Sequence, residues 1–168
     1  MNRRQSLKSL FALPVLPAAL AGMAWTVSAT AQSVRKSKAE WAALLAPAAY
    51  RVLFEEDTER AGSSPLNREK RDGTFVCAAC YLPLFDSATK YDSGTGWPSF
   101  WQPLRGAVGT KVDFQLIAPR TEYHCSRCGG HQGHVFDDGP PPTGKRYCNN
   151  GVALHFVPRP DKLPALRI

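Results

Sequence analysis

The stretch Lys111-Val112-Asp113-Phe114-Gln115-Leu116-Ile117 sets apolar Val112, Phe114 and Leu116 against polar Lys111, Asp113 and Gln115. A period of two places the two sets on opposite faces of an extended chain. The stretch therefore reads as a half-buried β-strand with its apolar set turned to the core. The same pattern continues downstream. Arg120 to Cys125 and Gly151 to Val157 read as strands, the latter with Val152, Leu154 and Phe156 on one face. From Thr74 onward short strands alternate with Gly/Pro turns, and Asp137 to Gly144, with three prolines, reads as a rigid loop.

Upstream the period changes. Ser37-Lys38-Ala39-Glu40 is a capping box, and Trp41, Leu44 and Leu45 fall on one face of the helix it opens. Pro47 suits the first turn of a second short helix carrying Tyr50, Leu53 and Phe54. Glu55 to Gly73 is polar and breaker-rich, hence loop. The expectation is one mainly-β domain over residues 32–168, with short helices at its N-terminal end.

The first 31 residues read as an address. Asn2-Arg3-Arg4-Gln5-Ser6-Leu7-Lys8 is a charged start, and an apolar run from Leu10 to Trp25 follows, broken by Pro14, Pro17 and Gly22. Ala29-Thr30-Ala31 then supplies a small-x-small cleavage pattern. This is the signature of a secretory signal peptide cut after Ala31. The adjacent arginines resemble twin-arginine signals, which carry folded proteins across the inner membrane. Ser6 stands where those signals usually have a large apolar residue, so the unfolded route stays open as well. The mature chain is expected in the periplasm, without stable membrane insertion and as a monomer.

Composition narrows the class. At 168 residues, 43% hydrophobic and 21% charged, the chain is long enough for one domain with a core and unlike a disordered or fibrous protein. The formal charge is +7, but three of the basic residues (Arg3, Arg4, Lys8) lie in the leader and the others are scattered. No basic stripe points to nucleic acid.

Chemistry concentrates in the cysteines. Four of the five form two Cys-x-x-Cys pairs, Cys77/Cys80 and Cys125/Cys128. Two such knuckles converging on one ion make a closed tetrahedral Cys₄ zinc site, structural rather than catalytic. Disulfides within or across the pairs are the alternative that an oxidising compartment allows. The fifth, Cys148, follows Lys145 and Arg146 closely, and neighbouring cations favour the nucleophilic thiolate. His131 and His134 supply imidazoles for acid catalysis. Strict alternation would put these histidines on opposite faces, whereas a turn at Gly133 would aim both inward. A core cysteine beside surface histidines is the bland reading of the same residues.

Longer motifs carry a resemblance. Lys90-Tyr91-Asp92-Ser93-Gly94-Thr95-Gly96-Trp97-Pro98-Ser99-Phe100, His131-Gln132-Gly133-His134-Val135-Phe136, Asp138-Gly139-Pro140 and Arg146-Tyr147-Cys148-Asn149-Asn150 resemble the B-type peptide methionine-R-sulfoxide reductases. So does Pro83-Leu84-Phe85-Asp86-Ser87 after the first knuckle. The resemblance runs from about Trp41 to Phe156. It implies two antiparallel β-sheets packed together, pinned by one Cys₄ zinc. It implies Cys148 as nucleophile, His131, His134 and Asn150 around the sulfoxide, Trp97 as the wall for its methyl group, and Arg146 as a support beside Cys148.

It also implies the activity: reduction of methionine-R-sulfoxide in oxidised proteins or peptides through a Cys148 sulfenic acid. Three positions depart from the family. Thr95 stands where many members have a second, resolving cysteine, Gln132 replaces a usual leucine, and Gly151 a usual serine. Without a resolving cysteine, recycling falls to an external, thioredoxin-like thiol donor. Two rivals are weaker. A non-catalytic zinc-pinned β-domain binding a small ligand would not need Cys148 with the two histidines. A disulfide oxidoreductase would call for a thioredoxin-like βαβ pattern that the sequence lacks.

Overall fold

The computed structural model describes residues 33–115 and 118–168, so the expected signal peptide lies outside the described residues. No described helix is long and apolar enough to cross a membrane. Among the described residues two α-helices come first, α1 (Lys38–Leu44) and α2 (Pro47–Glu55). The capping box forms as expected: Glu40 N donates to Ser37 Oγ and Ser37 N donates to Glu40 Oε2 at 2.8 Å. Pro47 occupies the first turn of α2. Trp41 is buried and stacks on Phe54, with centroids 5.1 Å apart, locking the two helices together.

Nine strands follow: β1 (Gly73–Cys77), β2 (Pro83–Asp86), β3 (Lys90–Tyr91), β4 (Ser99–Phe100), β5 (Val108–Asp113), β6 (Arg120–Cys125), β7 (His131–Phe136), β8 (Arg146–Asn149) and β9 (Leu154–Pro158). They form a three-stranded sheet in the order β2-β1-β9 and a six-stranded sheet in the order β3-β4-β8-β7-β6-β5. Among the described residues every pairing is antiparallel. The expected fold class holds: mainly β, with two antiparallel sheets and few helices.

Aromatic rings fill the space between the sheets. Phe75 and Phe85 come from the small sheet, and Phe100, Tyr123 and Tyr147 from the large one. Phe85 and Phe100 stack at 4.1 Å, Phe75 meets Phe100 edge-on at 4.9 Å, and Tyr123 meets Tyr147 at 5.2 Å. Phe75, Phe85, Phe100 and Tyr123 have no exposure. Burying each such ring stabilises the fold by roughly 1.5–3 kcal/mol.

Two sequence expectations are corrected. The strand expected over 111–117 is β5, which begins at Val108 and ends at Asp113, and its apolar set does not turn inward. Val112 and Phe114 are 57% and 75% exposed, while Asp113 is buried. The cause is electrostatic. Asp113 Oδ2 sits 2.6 Å from Arg120 Nη2 on β6 and 2.7 Å from His134 Nε2 on β7, one strand further in. On this edge strand both sets are largely exposed, and the paired charge draws Asp113 alone inward. Strand pairing then stops as Gln115 N donates to Asp113 Oδ1. The strand expected from Gly151 begins instead at Leu154, because Gly151–Ala153 makes a single 3₁₀ turn.

Candidate active site and metal centre

Cys148 lies near the end of β8, directly across from His134 on β7 and from Ser99 on β4. Cross-strand partners share a face, so the thiol and the imidazole point the same way. β7 and β8 approach closely because Gly133 has no side chain. A β-carbon there would lie 1.9 Å from the carbonyl oxygen of Cys148. Together the strands wall a cavity of about 120 Å³ lined by Trp97, Arg120, His134, Cys148, Asn149 and Asn150 among others. A larger concavity of about 830 Å³ lies around Leu44, Leu66 and Phe156, away from Cys148 and both site histidines.

His131 and His134 do share a side, though not through a turn at Gly133. Both lie within β7, whose pairing with β6 slips between Tyr123 and His124. That bulge breaks strict alternation and brings the rings to 5.5 Å. Each histidine has its own carboxylate. His134 Nε2 meets Asp113, which Arg120 also pairs. His131 Nδ1 lies 3.1 Å from Glu122 Oε1, off the line of a hydrogen bond, and Lys111 Nζ is 3.0 Å from the other Glu122 oxygen. Only His134 lines the cavity; His131 is buried one layer behind it.

Burial pushes the His134 pKa down, Asp113 pulls it back up in part, and Arg120 adds to the lowering. The Asp113 carboxyl is held well below the usual range by the Gln115 N–H and then by His134. Burial pushes the Cys148 thiol up, opposed by the Arg146 charge and by hydrogen bonding from Thr95 and Arg146. The two preceding cations therefore do not suffice to lower it. Lys145 turns away to pair with Asp137, and burial of the sulfur outweighs Arg146. Arg146 itself is buried, bound by two 2.8 Å hydrogen bonds to Asp138 and lying 4.3 Å over the Phe136 ring.

Trp97 and Asn150 are both set by one residue that sequence reasoning did not single out. Glu59 O accepts from Trp97 Nε1 at 3.1 Å, and Glu59 N donates to Asn150 Oδ1 at 3.0 Å. The Glu59 carboxylate accepts from Gly151 N and Val152 N, at 2.5 and 3.1 Å. Glu59 belongs to the 55–73 loop and joins the far end of the chain, so no local pattern could announce it. Thr95 sits in a hydroxyl chain, with Ser93 Oγ 2.8 Å from both Thr95 Oγ1 and Ser99 Oγ.

The four knuckle cysteines converge, their sulfurs all within 4.8 Å of one another. Cys77 and Cys80 flank the β1–β2 turn of the small sheet; Cys125 and Cys128 flank the β6–β7 turn of the large one. Cys77 Sγ lies 3.7 Å from Cys128 Sγ, and Cys80 Sγ 3.6 Å from Cys125 Sγ. Four sulfurs about 2.3 Å from a tetrahedral ion are roughly 3.8 Å apart. The spacing fits a metal and is far too long for disulfides, about 2.05 Å. The four cysteines are a site that can hold a metal ion.

The sequence profile of the SelR domain matches residues 45–158. This chain belongs to the SelR domain family. The match takes in all five cysteines and every cavity residue named above. Among known proteins, "Peptide methionine sulfoxide reductase MsrB" of Pseudomonas entomophila (strain L48) is 50% identical over 129 residues, covering 76% of this chain and 98% of that one. The protein of the same name from Leptospira interrogans serogroup Icterohaemorrhagiae serovar Lai (strain 56601) is 51% identical over 124 residues, covering 73% and 95%. "Peptide methionine sulfoxide reductase B1, chloroplastic" of Arabidopsis thaliana is 50% identical over 119 residues, covering 70% of this chain and 59% of its own.

Within this SelR domain the sequence named the nucleophile candidate and the cavity wall but not the acids behind the histidines. Asp113, Glu122 and Glu59 are separated from their partners by register and loop closure. One cue existed: acidic residues at alternate positions, or beside them, in strands that the pattern reads as half-buried.

Proposed function

We propose that this chain is a peptide methionine-R-sulfoxide reductase that returns methionine sulfoxide in oxidised proteins and peptides to methionine. The observation that carries the reading is Cys148 across from His134 at the wall of a small cavity that Trp97 and Asn150 also line, in a chain of the SelR family. A volume of about 120 Å³ suits a methylsulfinyl group rather than a large ligand. Trp97 offers the methyl group an apolar wall, while Asn150 and His134 offer donors to the oxygen. Fixing three different substituents of a chiral sulfur selects one epimer.

The reaction balances on one cysteine. The Cys148 sulfur attacks the sulfoxide sulfur, whose oxygen is made a leaving group by a proton from His134. An S–S bond forms between Cys148 and the substrate as the S–O bond breaks and the oxygen leaves as water. Water then adds to the Cys148 sulfur, and the S–S bond breaks with its electron pair going to the substrate sulfur, which departs as methionine and leaves Cys148 as a sulfenic acid. Net, Cys–SH and sulfoxide become Cys–SOH and sulfide. Asp113 offsets part of the penalty that burial places on a positive ring at His134. His131 and Arg146 hold positions behind and beside the reacting pair. An external thiol of thioredoxin-like type then attacks the sulfenic sulfur, releasing water, and a second thiol frees Cys148. Thr95, in the resolving position, has a hydroxyl that cannot form a disulfide.

The metal we assign to Cys77, Cys80, Cys125 and Cys128 is one structural zinc. Bound there, it would pin the two sheets together and add its binding energy to folding. We further propose that residues 1–31 export the enzyme to the periplasm, where it works as a monomer on oxidised proteins, with no nucleic-acid partner. The test of the activity is turnover of separate R and S epimers of a peptide methionine sulfoxide with dithiothreitol as reductant. Reduction of the R epimer alone is expected; turnover of the S epimer, or of neither, overturns the reading.

A further inference from the structure

Gln132 is completely buried between the two site histidines of β7. A buried primary amide leaves two donors and an acceptor to be satisfied. Here the Nε2 end lies 3.5 Å from Cys77 Sγ, and the Oε1 end lies 3.4 Å from Asn149 Nδ2. Asn149 Nδ2 also donates to Tyr123 Oη at 2.8 Å. The Gln132 main-chain oxygen accepts from Asn150 N at 2.8 Å and from Asn150 Nδ2 at 3.2 Å. The amide orientation follows from these partners. Turned over, it would set oxygen against the sulfur and NH₂ against the NH₂ of Asn149. One residue thus reaches the first knuckle with its side chain and the Cys148-Asn149-Asn150 segment with both side chain and backbone.

We propose that Gln132 is an outer hydrogen-bond partner of the metal centre, donating from its amide to the Cys77 thiolate that binds the ion, and that it anchors the catalytic strand through Asn149 and Asn150 in the same contact. The inference rests on the reading of the four cysteines as a metal site. A metal-bound thiolate carries negative charge, and Cys77 is fully buried, so solvent cannot solvate that sulfur. An N–H donor supplies what water would. Outer partners of metal ligands typically change metal affinity 10- to 100-fold.

The experiment compares wild type with Gln132→Met, which keeps the volume but removes the donor, and with Gln132→Leu. Zinc affinity is measured by chelator competition, and each protein is also loaded with cobalt(II) for its sulfur-to-cobalt charge-transfer band. Both variants should bind zinc 10- to 100-fold more weakly. Their charge-transfer bands should move to lower energy, because a thiolate that loses a hydrogen bond gives up its electrons more easily. A purely packing role moves affinity without moving the band, so unshifted bands in both variants overturn the proposal, as does unchanged zinc affinity. A wild-type chain that binds neither zinc nor cobalt overturns the metal reading itself, and the proposal falls with it.

Discussion

Asp113→Asn isolates one charge in the site. The asparagine oxygen can still accept from His134 Nε2 at the 2.7 Å separation, so the ring keeps its orientation while the carboxylate charge goes. An opposite charge within hydrogen-bond reach is worth about 1–3 pKa units to its partner. His134 is already lowered by burial, and Arg120 lowers it further once Asp113 no longer neutralises that guanidinium. The proposed reaction needs His134 protonated and Cys148 ionised, yet burial lowers the first pKa and raises the second. Between the two values the productive form is a constant minor fraction. Its logarithm is the His134 pKa minus the Cys148 pKa.

Lowering the histidine by about 1–3 units therefore reduces the plateau of kcat/KM about 10- to 1,000-fold. The acid limb should move to lower pH by the same number of units. The assay is the pH profile of kcat/KM for the R-sulfoxide with saturating dithiothreitol, wild type against variant. The acid limb reports chemistry rather than unfolding. The Asp113 carboxyl, held low in the folded state, loses its stabilising contribution only as pH falls below the ordinary aspartate range. A plateau that drops while the acid limb stays fixed would make Asp113 a packing residue and refute the electrostatic argument.

Cys148→Ser should abolish R-sulfoxide reduction while keeping one zinc per chain by colorimetric release; retained turnover would remove Cys148 from the mechanism. Cys80→Ser or Cys125→Ser should give insoluble or zinc-free protein, since a structural zinc contributes about 10–16 kcal/mol to folding in zinc-finger peptides. A soluble, metal-free and fully active variant would end the structural-zinc reading. Reduced enzyme given one equivalent of sulfoxide without reductant should yield a single dimedone adduct, on Cys148. A disulfide from Cys148 to Cys77, Cys80, Cys125 or Cys128 would instead make a knuckle the resolving group.

What the sequence disclosed depended on how local the cause was. The capping box at Ser37 and Glu40, Pro47 in the first turn of α2 and strand β6 each follow from adjacent residues, and each stands where expected. The two knuckles were legible because a Cys-x-x-Cys turn is local, and only its convergence with a second turn needed the fold. The faces of β5 were not legible. Val112 and Phe114 belong inside by hydropathy alone, but Asp113 has two cationic or ionisable partners on other strands, and no window of seven residues contains them. The common side of His131 and His134 was hidden for the same reason, since the bulge that creates it is a property of the β6–β7 pair.

Thr95 and Gln132 show where residue-by-residue reading stops. Taken singly, neither a threonine hydroxyl nor a glutamine amide announces what it touches. In the structure both became hydrogen-bonding residues around a sulfur. Thr95 belongs to the hydroxyl chain with Ser93 and Ser99, and its bonding favours the ionised form of Cys148 against the cost of burial. Gln132 faces Cys77 on one side and Asn149 on the other. A buried amide without partners would cost about 1–3 kcal/mol, so Gln132 is tolerable only because Asn149 and Cys77 stand at its two ends. Gln132 and its partners lie 17 and 55 residues apart in the chain. Strand pairing within the large sheet brings Asn149 to it, and the packing of one sheet on the other brings Cys77, the step at which sequence pattern gives way to tertiary structure.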